Sequence, residues 1–339
     1  MNMRTFVLKR LAFVIPQLLL VALGTFLLLR VLPIDPVAKQ VGNFATEQTR
    51  AKVKEQLGLD HSLVDQAGTY LGNLVKGDLG VSWDSGTKIT SEIAQRFPIT
   101  LQLIVLAFLL ALAIAIPAGR AAAAQPGGTT DKTVSGYGLF ASSQPDFWWA
   151  LMFIFLLYFH AKLFPAPLGL LSPDMVPPPA KTNFLLIDAV LARDFAVFKD
   201  ALWHLGLPVL TLAFVLTGPI IKMTRQSVVA VVRSEYILYA RACGIPAKTV
   251  RSYMLRNALS PIVTLTGILF GYMLGGAVLI ENIFSLDGLG YYALKSTLGT
   301  DFPAVQGAVV VMTAFSLLIY LAMDVLHAVL DPRVRYARN

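Results

Sequence analysis

The stretch from Arg233 to Val263 has the composition of a surface that binds another protein. Small side chains alternate with large ones at its start, in the order Tyr236, Ile237, Tyr239, Ala240, Ala242 and Gly244. A short helix lying flat in a groove would use the small residues for close approach and the large ones as anchors. Gly244 followed by Ile245-Pro246 predicts where that helix ends. The segment therefore predicts a mechanical or regulatory input from a soluble partner.

Sequence patterns for catalysis or cofactor binding are absent. No glycine is followed by lysine, so the chain has no Gly-x-x-x-x-Gly-Lys phosphate-binding loop. The four histidines are far apart, none lies in His-Glu-x-x-His, and no Gly-x-Ser-x-Gly elbow occurs. The single cysteine, Cys243, excludes a disulfide framework and a multi-cysteine metal site. We expect no catalytic residue, cofactor or metal in this chain, so its energy must come from elsewhere.

The elements that must position the docking segment are membrane helices. Of the 339 residues, 56% are hydrophobic and only 14% are charged, where soluble proteins have about 25% charged residues. A helix needs about 20 apolar residues to cross a hydrocarbon core of about 30 Å. Runs of this length predict six spans, at 11–32, 99–118, 134–159, 202–221, 261–279 and 304–330. The predicted fold class is an all-α integral membrane protein with six transmembrane helices.

The distribution of Lys and Arg predicts the orientation of these helices. Segment 222–257 holds seven basic residues and one acid, whereas 33–98 holds seven and eight, and 160–201 holds four of each. The positive-inside rule therefore places 222–257 and both termini in the cytoplasm, and it favours a membrane over nucleic acid as the reason for the net charge of +8. The first span is too long for a signal peptide and is expected to remain as a helix.

Segment 33–98 is long for a loop, so we expect an ordered, partly helical extracytoplasmic layer. The pattern predicts helices over 46–57 and 63–74, followed by a turn at Gly77-Asp78-Leu79-Gly80. The layer could be a solvated cap on the first two spans, or a platform for a soluble protein that delivers a substrate.

The third predicted span is interrupted by polar and helix-breaking residues at Ser142-Ser143-Gln144-Pro145-Asp146. Polar backbone at membrane depth is tolerated only where protein or a water-filled cavity covers it. Either the break lines a pathway, with Ser143 and Pro145 as candidates, or the span begins near Phe147.

Three glycines share one face of the fifth span, at Gly267, Gly271 and Gly275. Such a face allows another helix to approach closely, either within the chain or from a second, similar subunit. Glu281 closes this span and begins a fold-back that includes Phe284, and Asp324 lies near the end of the last span. For both acids, structural pairing is favoured over a proton relay.

Segment 239–261 resembles the loop by which importer permeases dock on an ATPase, in its residues Ala240, Ala242, Gly244, Asn257, Ala258, Leu259 and Pro261. The chain thus resembles, over nearly its whole length, the B-type permease subunits of ATP-binding-cassette importers for dipeptides, oligopeptides and nickel. Supporting segments are Leu57-Gly58-Leu59-Asp60, Gly77 to Gly80, His204 to Pro208, Glu281 to Gly290 and Leu330 to Tyr336. The family pattern differs at Ile34 (usually Gly), Leu286-Asp287 (Trp-Pro), Cys243 (often Lys) and Tyr320 (commonly Asn).

The resemblance implies a type I importer permease fold. It divides the chain into 1–98, the first helix with the external segment; 99–330, the transmembrane domain with a coupling helix near 235–244; and 331–339, a cytoplasmic tail. The implied ATPase-coupling residues are Glu235, Tyr236, Tyr239, Ala240, Arg241, Ala242, Gly244 and Asn257.

The implied function is binding-protein-dependent import of a peptide or a related small solute through the bacterial inner membrane. The implied partners are a second homologous permease, two ATPase domains or subunits, an extracytoplasmic solute-binding protein and membrane lipid, with ATP and Mg on the ATPases. Nickel chelates or glutathione are alternative solutes. A secondary transporter is an alternative class, although inverted repeats and intramembrane ion ligands are not evident. A membrane scaffold or sensor would also need a docking loop, but it would not need the broken third span.

Overall fold

The computed structural model describes residues 3–31, 36–42, 45–56 and 58–330. Within these ranges the chain is helical, and its β pairing is limited to one bridge between Val81 and Lys88. The helices are α1 Met3–Val31, α2 Pro36–Val41, α3 Glu47–Gln56, α4 Leu63–Val75, α5 Ile89–Ala124, α6 Thr129–Ala141, α7 Asp146–Phe153, α8 Leu185–Leu191, α9 Phe195–Val232, α10 Glu235–Ala242, α11 Ala247–Ile283, α12 Leu289–Leu298 and α13 Phe302–Leu330. A π-helical segment, Ile154–His160, continues α7.

Five helices of the described chain, α1, α5, α9, α11 and α13, are long and apolar enough to cross a membrane. They correspond to five of the six predicted spans. The helices α5, α9 and α11 have 36, 38 and 37 residues, and so extend well beyond the predicted apolar runs. Since hydropathy detects only the apolar part of a helix, their polar ends were not predicted.

The third predicted span, 134–159, does not form one continuous helix. Helix α6 ends at Ala141, residues 142–145 are not helical, and α7 begins at Asp146. The Trp149 indole N–H donates to the Ala141 carbonyl at 3.0 Å, which satisfies one acceptor left free at the end of α6. The structure therefore has a break between two helical pieces, and the lining of a pathway by this break stays a prediction.

Helix α9 lies at the centre of the bundle, packed between α5 and α11. A single apolar core joins these three helices to α7 through residues such as Leu103, Leu212, Phe270 and Phe284. The peripheral helices α1 and α13 pack on one another and leave most of their apolar surface exposed. An ion pair between Arg10 and Asp324, 3.1 Å apart, joins them near the chain termini, which confirms the pairing expected for Asp324.

We call one end of the bundle the basic end. It comprises the start of α1, the 125–128 turn, α10 with its flanking turns, and the last turns of α13. The opposite end, called the loop end, carries α2–α4, α8, α12 and the 161–184 segment. The predicted tail, 331–339, lies outside the described residues, as do residues 32–35 and Leu57.

The described part of segment 33–98 contains the predicted short helices α3 and α4. Ser62 begins α4 by accepting a hydrogen bond from the Asp65 N–H at 3.2 Å, as an N-cap residue does. Gly58, at φ +63°, follows the described part of α3. The Gly80 carbonyl accepts from the Ile89 N–H at 3.1 Å, so the predicted turn lies directly against the start of α5.

Candidate functional site

Helix α10 lies across the basic end and is held there by its apolar face. Ile237 and Ala240, 0% and 5% exposed, form a small cluster with Val250 of α11, and Val231 and Met254 pack against it. The helix ends in a Schellman motif: Gly244 has φ +72°, its N–H donates to the Arg241 carbonyl at 3.0 Å, and the Ile245 N–H donates to the Ala240 carbonyl at 3.1 Å. The predicted helix end at Gly244 is confirmed.

On the rest of α10, large apolar side chains are left uncovered by the described residues. Tyr236, Leu238 and Tyr239 are 45%, 55% and 73% exposed. The predicted coupling residues that share this exposed surface are Glu235, Tyr236, Tyr239, Arg241, Ala242 and Gly244. Large apolar side chains exposed next to one another are typical of a protein-binding surface. We call Tyr236, Leu238 and Tyr239 the tyrosine face.

The remaining coupling candidates lie elsewhere. Ala240, a coupling candidate, and Ile237, expected as an anchor for a partner, are buried toward α9 and α11, so both side chains pack within the chain. Asn257 is exposed on α11, where its side-chain amide donates to the Tyr253 carbonyl at 2.8 Å. Leu238 was not predicted from the sequence, because only the packing of α10 shows that its side chain faces outward.

An ion pair joins α6 to α9 near the basic end. The Arg225 guanidinium donates through Nε to one oxygen of Asp131 and through Nη2 to the other, the second at 2.6 Å. Asp131 also accepts from the Gly127 N–H at 2.8 Å. The two-point contact between the Arg225 guanidinium and the Asp131 carboxylate fixes α6 on α9.

At the loop end, Glu281 organises the fold-back between α11 and α12. Its side chain is fully buried, the Thr100 hydroxyl donates to Oε1, and the Tyr291 N–H donates to Oε2 at 2.8 Å. The Thr100 oxygen in turn accepts from the Leu289 N–H at 2.8 Å. The carboxylate thus caps the N-terminus of α12, where the helix dipole favours a negative charge, and it links α5, α11 and α12.

Two glycines of the fold-back leave room for this carboxylate. A Cβ on Gly288 would lie 2.5 Å from Oε2 of Glu281, and one on Gly290 would lie 2.8 Å from the Val278 Cα. Phe284 is 2% exposed in the core, and its carbonyl accepts from the Gly169 N–H at 3.1 Å. The structure therefore places Glu281 and Phe284 in packing contacts within the chain.

The three glycines of the predicted face of α11 differ in what lies against them. A Cβ on Gly267 would lie 3.0 Å from Met323 Cγ, and one on Gly271 would overlap the Tyr320 hydroxyl, so both glycines admit α13. A Cβ on Gly275 would meet no described atom within 4 Å. The residues of the break, Ser143 and Pro145 among them, are exposed, and the Ser143 hydroxyl donates to the Phe140 carbonyl at 2.7 Å.

Asp301 is a structural residue that the sequence reading missed. It is 1% exposed and accepts from the Ser82 hydroxyl at 2.5 Å, the Trp83 N–H at 3.1 Å and the Asp84 N–H at 3.2 Å. It also accepts from the Ala304 N–H at 3.3 Å at the start of α13. A signal was present, since an Asp two residues before a proline and ahead of an apolar run is typical of a helix start.

Among the described residues, no three His, Cys, Asp or Glu side chains lie close enough together to hold a metal ion. The bundle combines long apolar helices with a docking helix whose large side chains are uncovered. Those features are typical of a membrane protein with a surface for binding another protein.

Comparison with known proteins identifies its family. The family described as "Binding-protein-dependent transport system inner membrane component" matches residues 115–336. The N-terminal family "Binding-prot-dependent transport system membrane comp, N-term" matches residues 3–104. The chain belongs to the binding-protein-dependent transport system permeases.

Several curated relatives match nearly the full chain. The dipeptide transport system permease protein DppB of Escherichia coli (strain K12) is 36% identical over 99% of this chain and 100% of its own length. The di/tripeptide permease of Pseudomonas aeruginosa (strain UCBPP-PA14) is also 36% identical, over 99% of this chain and 100% of its own length. The probable D,D-dipeptide permease DdpB of Escherichia coli (strain K12) is 38% identical over 91% of each chain. The expected resemblance to peptide importer permeases is confirmed.

Proposed function

We propose that this chain is one of two transmembrane subunits of an ATP-driven importer that moves di- or oligopeptides into the cell. The observation that supports it most directly is the end-to-end similarity to relatives named for dipeptides, di/tripeptides and D,D-dipeptides. The proposal includes a second homologous permease, two ATPase domains that bind ATP and Mg, and an extracytoplasmic peptide-binding protein.

In this proposal six segments span the inner membrane, the third being the broken unit of α6, α7 and the π-helical segment. The basic end faces the cytoplasm, together with both termini, because the Lys and Arg residues of 222–257 are concentrated there. The loop end then forms the extracytoplasmic surface on which the binding protein would deliver its peptide.

The tyrosine face of α10 is proposed to insert into a groove of the ATPase. Because α10 connects directly to α9 and α11, a movement of the ATPase would be passed to two helices of 38 and 37 residues. The ion pair between Asp131 and Arg225 would make α6 follow α9. Rocking of these stiff helices would expose a central cavity first to one side and then to the other.

The cavity itself is proposed to form between the two permease subunits. The break at 142–145 and the open surface around Gly275 are polar or uncovered in the single chain. Since non-helical backbone at membrane depth needs protein or water around it, these residues should face the second subunit and the pathway. Ser143 and Pro145 would then line the pathway, as expected from the sequence.

Uptake in a purified system tests the function. Vesicles containing both permeases and the ATPases, supplied with the binding protein and ATP, are expected to accumulate radiolabelled dialanine. ATP hydrolysis should rise several-fold when the loaded binding protein is added. Uptake that persists without ATP but follows an ion gradient would contradict the proposal and support a secondary transporter.

The lone cysteine provides a test of orientation and docking. Cys243 is exposed beside the tyrosine face, at the C-terminal end of α10. A membrane-impermeant maleimide is expected to label it in inside-out vesicles and not in intact spheroplasts. Bound ATPase should slow the labelling about tenfold, because burial excludes the reagent.

Cys243→Ser should remove all labelling and serves as the control. Labelling of intact spheroplasts would show that the basic end faces outward. An unchanged labelling rate in the presence of the ATPase would show that α10 is not covered by it.

A further inference from the structure

Asp146 places a carboxylate near the middle of the membrane. A Cβ added to Gly276 of α11 would lie 2.7 Å from the Asp146 Oδ2 and 4.0 Å from Leu212 of α9, so the three residues are at one level. Along α9, Leu212 lies eight residues from His204 and ten from Lys222, the ionisable residues on either side of it. At about 1.5 Å per residue, this level is roughly 12 to 15 Å from either one.

Within the described chain, Asp146 has no cationic partner. None of the ion pairs found among the described residues involves the Asp146 carboxylate. The side chain is half-buried between α7 and α11 rather than directed into bulk water. An ionisable residue at this depth normally faces a cavity or a partner charge.

The surroundings of Asp146 are polar and open. Ser142, Ser143 and Gln144 precede it and are exposed in the single chain. A groove of about 440 Å³ between α6 and α9 begins at Ser142 and reaches Lys222 and Arg225 toward the basic end. Asp146 itself does not line this groove, whose nearest lining residue along the chain is Ser142, four residues before it.

We propose that the Asp146 carboxylate accepts hydrogen bonds from the ammonium group of the transported solute. This inference rests on the proposed peptide-import function. Unmodified peptides carry an α-ammonium whatever their side chains, so one fixed carboxylate can serve many of them. A metal ion fits poorly, because it needs several ligands and no group of three is found among the described residues.

The test compares Asp146→Asn with wild type in vesicles containing both permeases and the ATPases, with the binding protein outside. Two probes are used: dialanine and propionyl-alanine, which lacks only the amino group. Asp146→Asn is expected to lower dialanine uptake per ATP hydrolysed about tenfold, which is the effect expected from losing one charge-assisted hydrogen bond. Propionyl-alanine uptake per ATP should be the same in both proteins.

Two further variants serve as controls. Asp146→Glu keeps the carboxylate and should retain dialanine uptake within about threefold of wild type. Asp324→Asn removes an acid of α13 at the basic end, where its ion pair with Arg10 is partly exposed, and should leave uptake of both probes unchanged. ATP hydrolysis stimulated by the loaded binding protein should be preserved in all three variants, because the tyrosine face is unaltered.

Three results would overturn the inference. Wild-type dialanine uptake by Asp146→Asn would show that the carboxylate is not used. An equal loss for both probes, or dissociation of the complex, would show that Asp146 pairs with the second subunit instead. A wild-type complex that takes up neither probe would refute the proposed function, and the inference would fall with it.

Discussion

Replacing Tyr239 with aspartate should abolish ATP-driven uptake while leaving the permease folded. Tyr239 is 73% exposed on α10, so its removal costs the chain little packing. Tyrosines at the centre of an interface often contribute about 2 kcal/mol or more, which corresponds to roughly 30-fold weaker binding of the ATPase. An aspartate would also place an unpaired charge in the proposed groove of the ATPase. The measurements are ATPase affinity for the detergent-purified permease pair and binding-protein-stimulated ATP hydrolysis.

Tyr239→Phe, which keeps the ring, is the matched control and should retain most of the affinity. Ile237→Asp makes a useful contrast, because Ile237 is fully buried against α11 and its replacement should disrupt α10 itself. ATPase binding by Tyr239→Asp at wild-type strength would show that the tyrosine face serves another purpose.

Glu281→Ala should cause the largest loss of stability. The substitution leaves the Tyr291 N–H and the Thr100 hydroxyl without their buried acceptor, and it opens a space beneath the fold-back. Each unsatisfied buried donor costs about 1–3 kcal/mol, so we expect the two donors together to cost about 2–6 kcal/mol. The midpoint of thermal unfolding in detergent should fall by at least about 3 °C.

Asp287→Asn tests whether any acid of the fold-back would have this effect. Asp287 is 63% exposed and pairs with Arg96 at 3.1 Å on the surface; such a pair contributes about 0–1 kcal/mol. The midpoint of thermal unfolding of Asp287→Asn should stay close to that of wild type. A Glu281→Ala protein as stable as Asp287→Asn would contradict the capping role of Glu281.

The sequence predicts well whatever depends on local composition. Apolar runs locate five long helices, because a helix that crosses a membrane needs about 20 consecutive apolar residues. The end of α10 follows from Gly244, since glycine adopts its left-handed conformation without strain. Proline and serine likewise predict the interruption before Asp146.

Contacts between distant segments could not be predicted in this way. Nothing in the sequence around Asp301 indicates that it will bind the Ser82 hydroxyl. Likewise, nothing around Glu281 indicates its contact with Thr100. The faces of α10 are a second example. Tyr239 and Ala240 are neighbours in the sequence, and only the packing of α10 on α11 shows that one points outward and the other inward.

The bond between Asp301 and Ser82 has a consequence for biosynthesis. Its two residues are 219 positions apart, and a ribosome adding 5–20 residues per second needs roughly 10 to 45 s to go from one to the other. The turn at Ser82 must wait through that interval for its acceptor. A nascent chain that stalls before Asp301 therefore enters the membrane with its loop end incomplete, and quality-control proteases would meet it in that state.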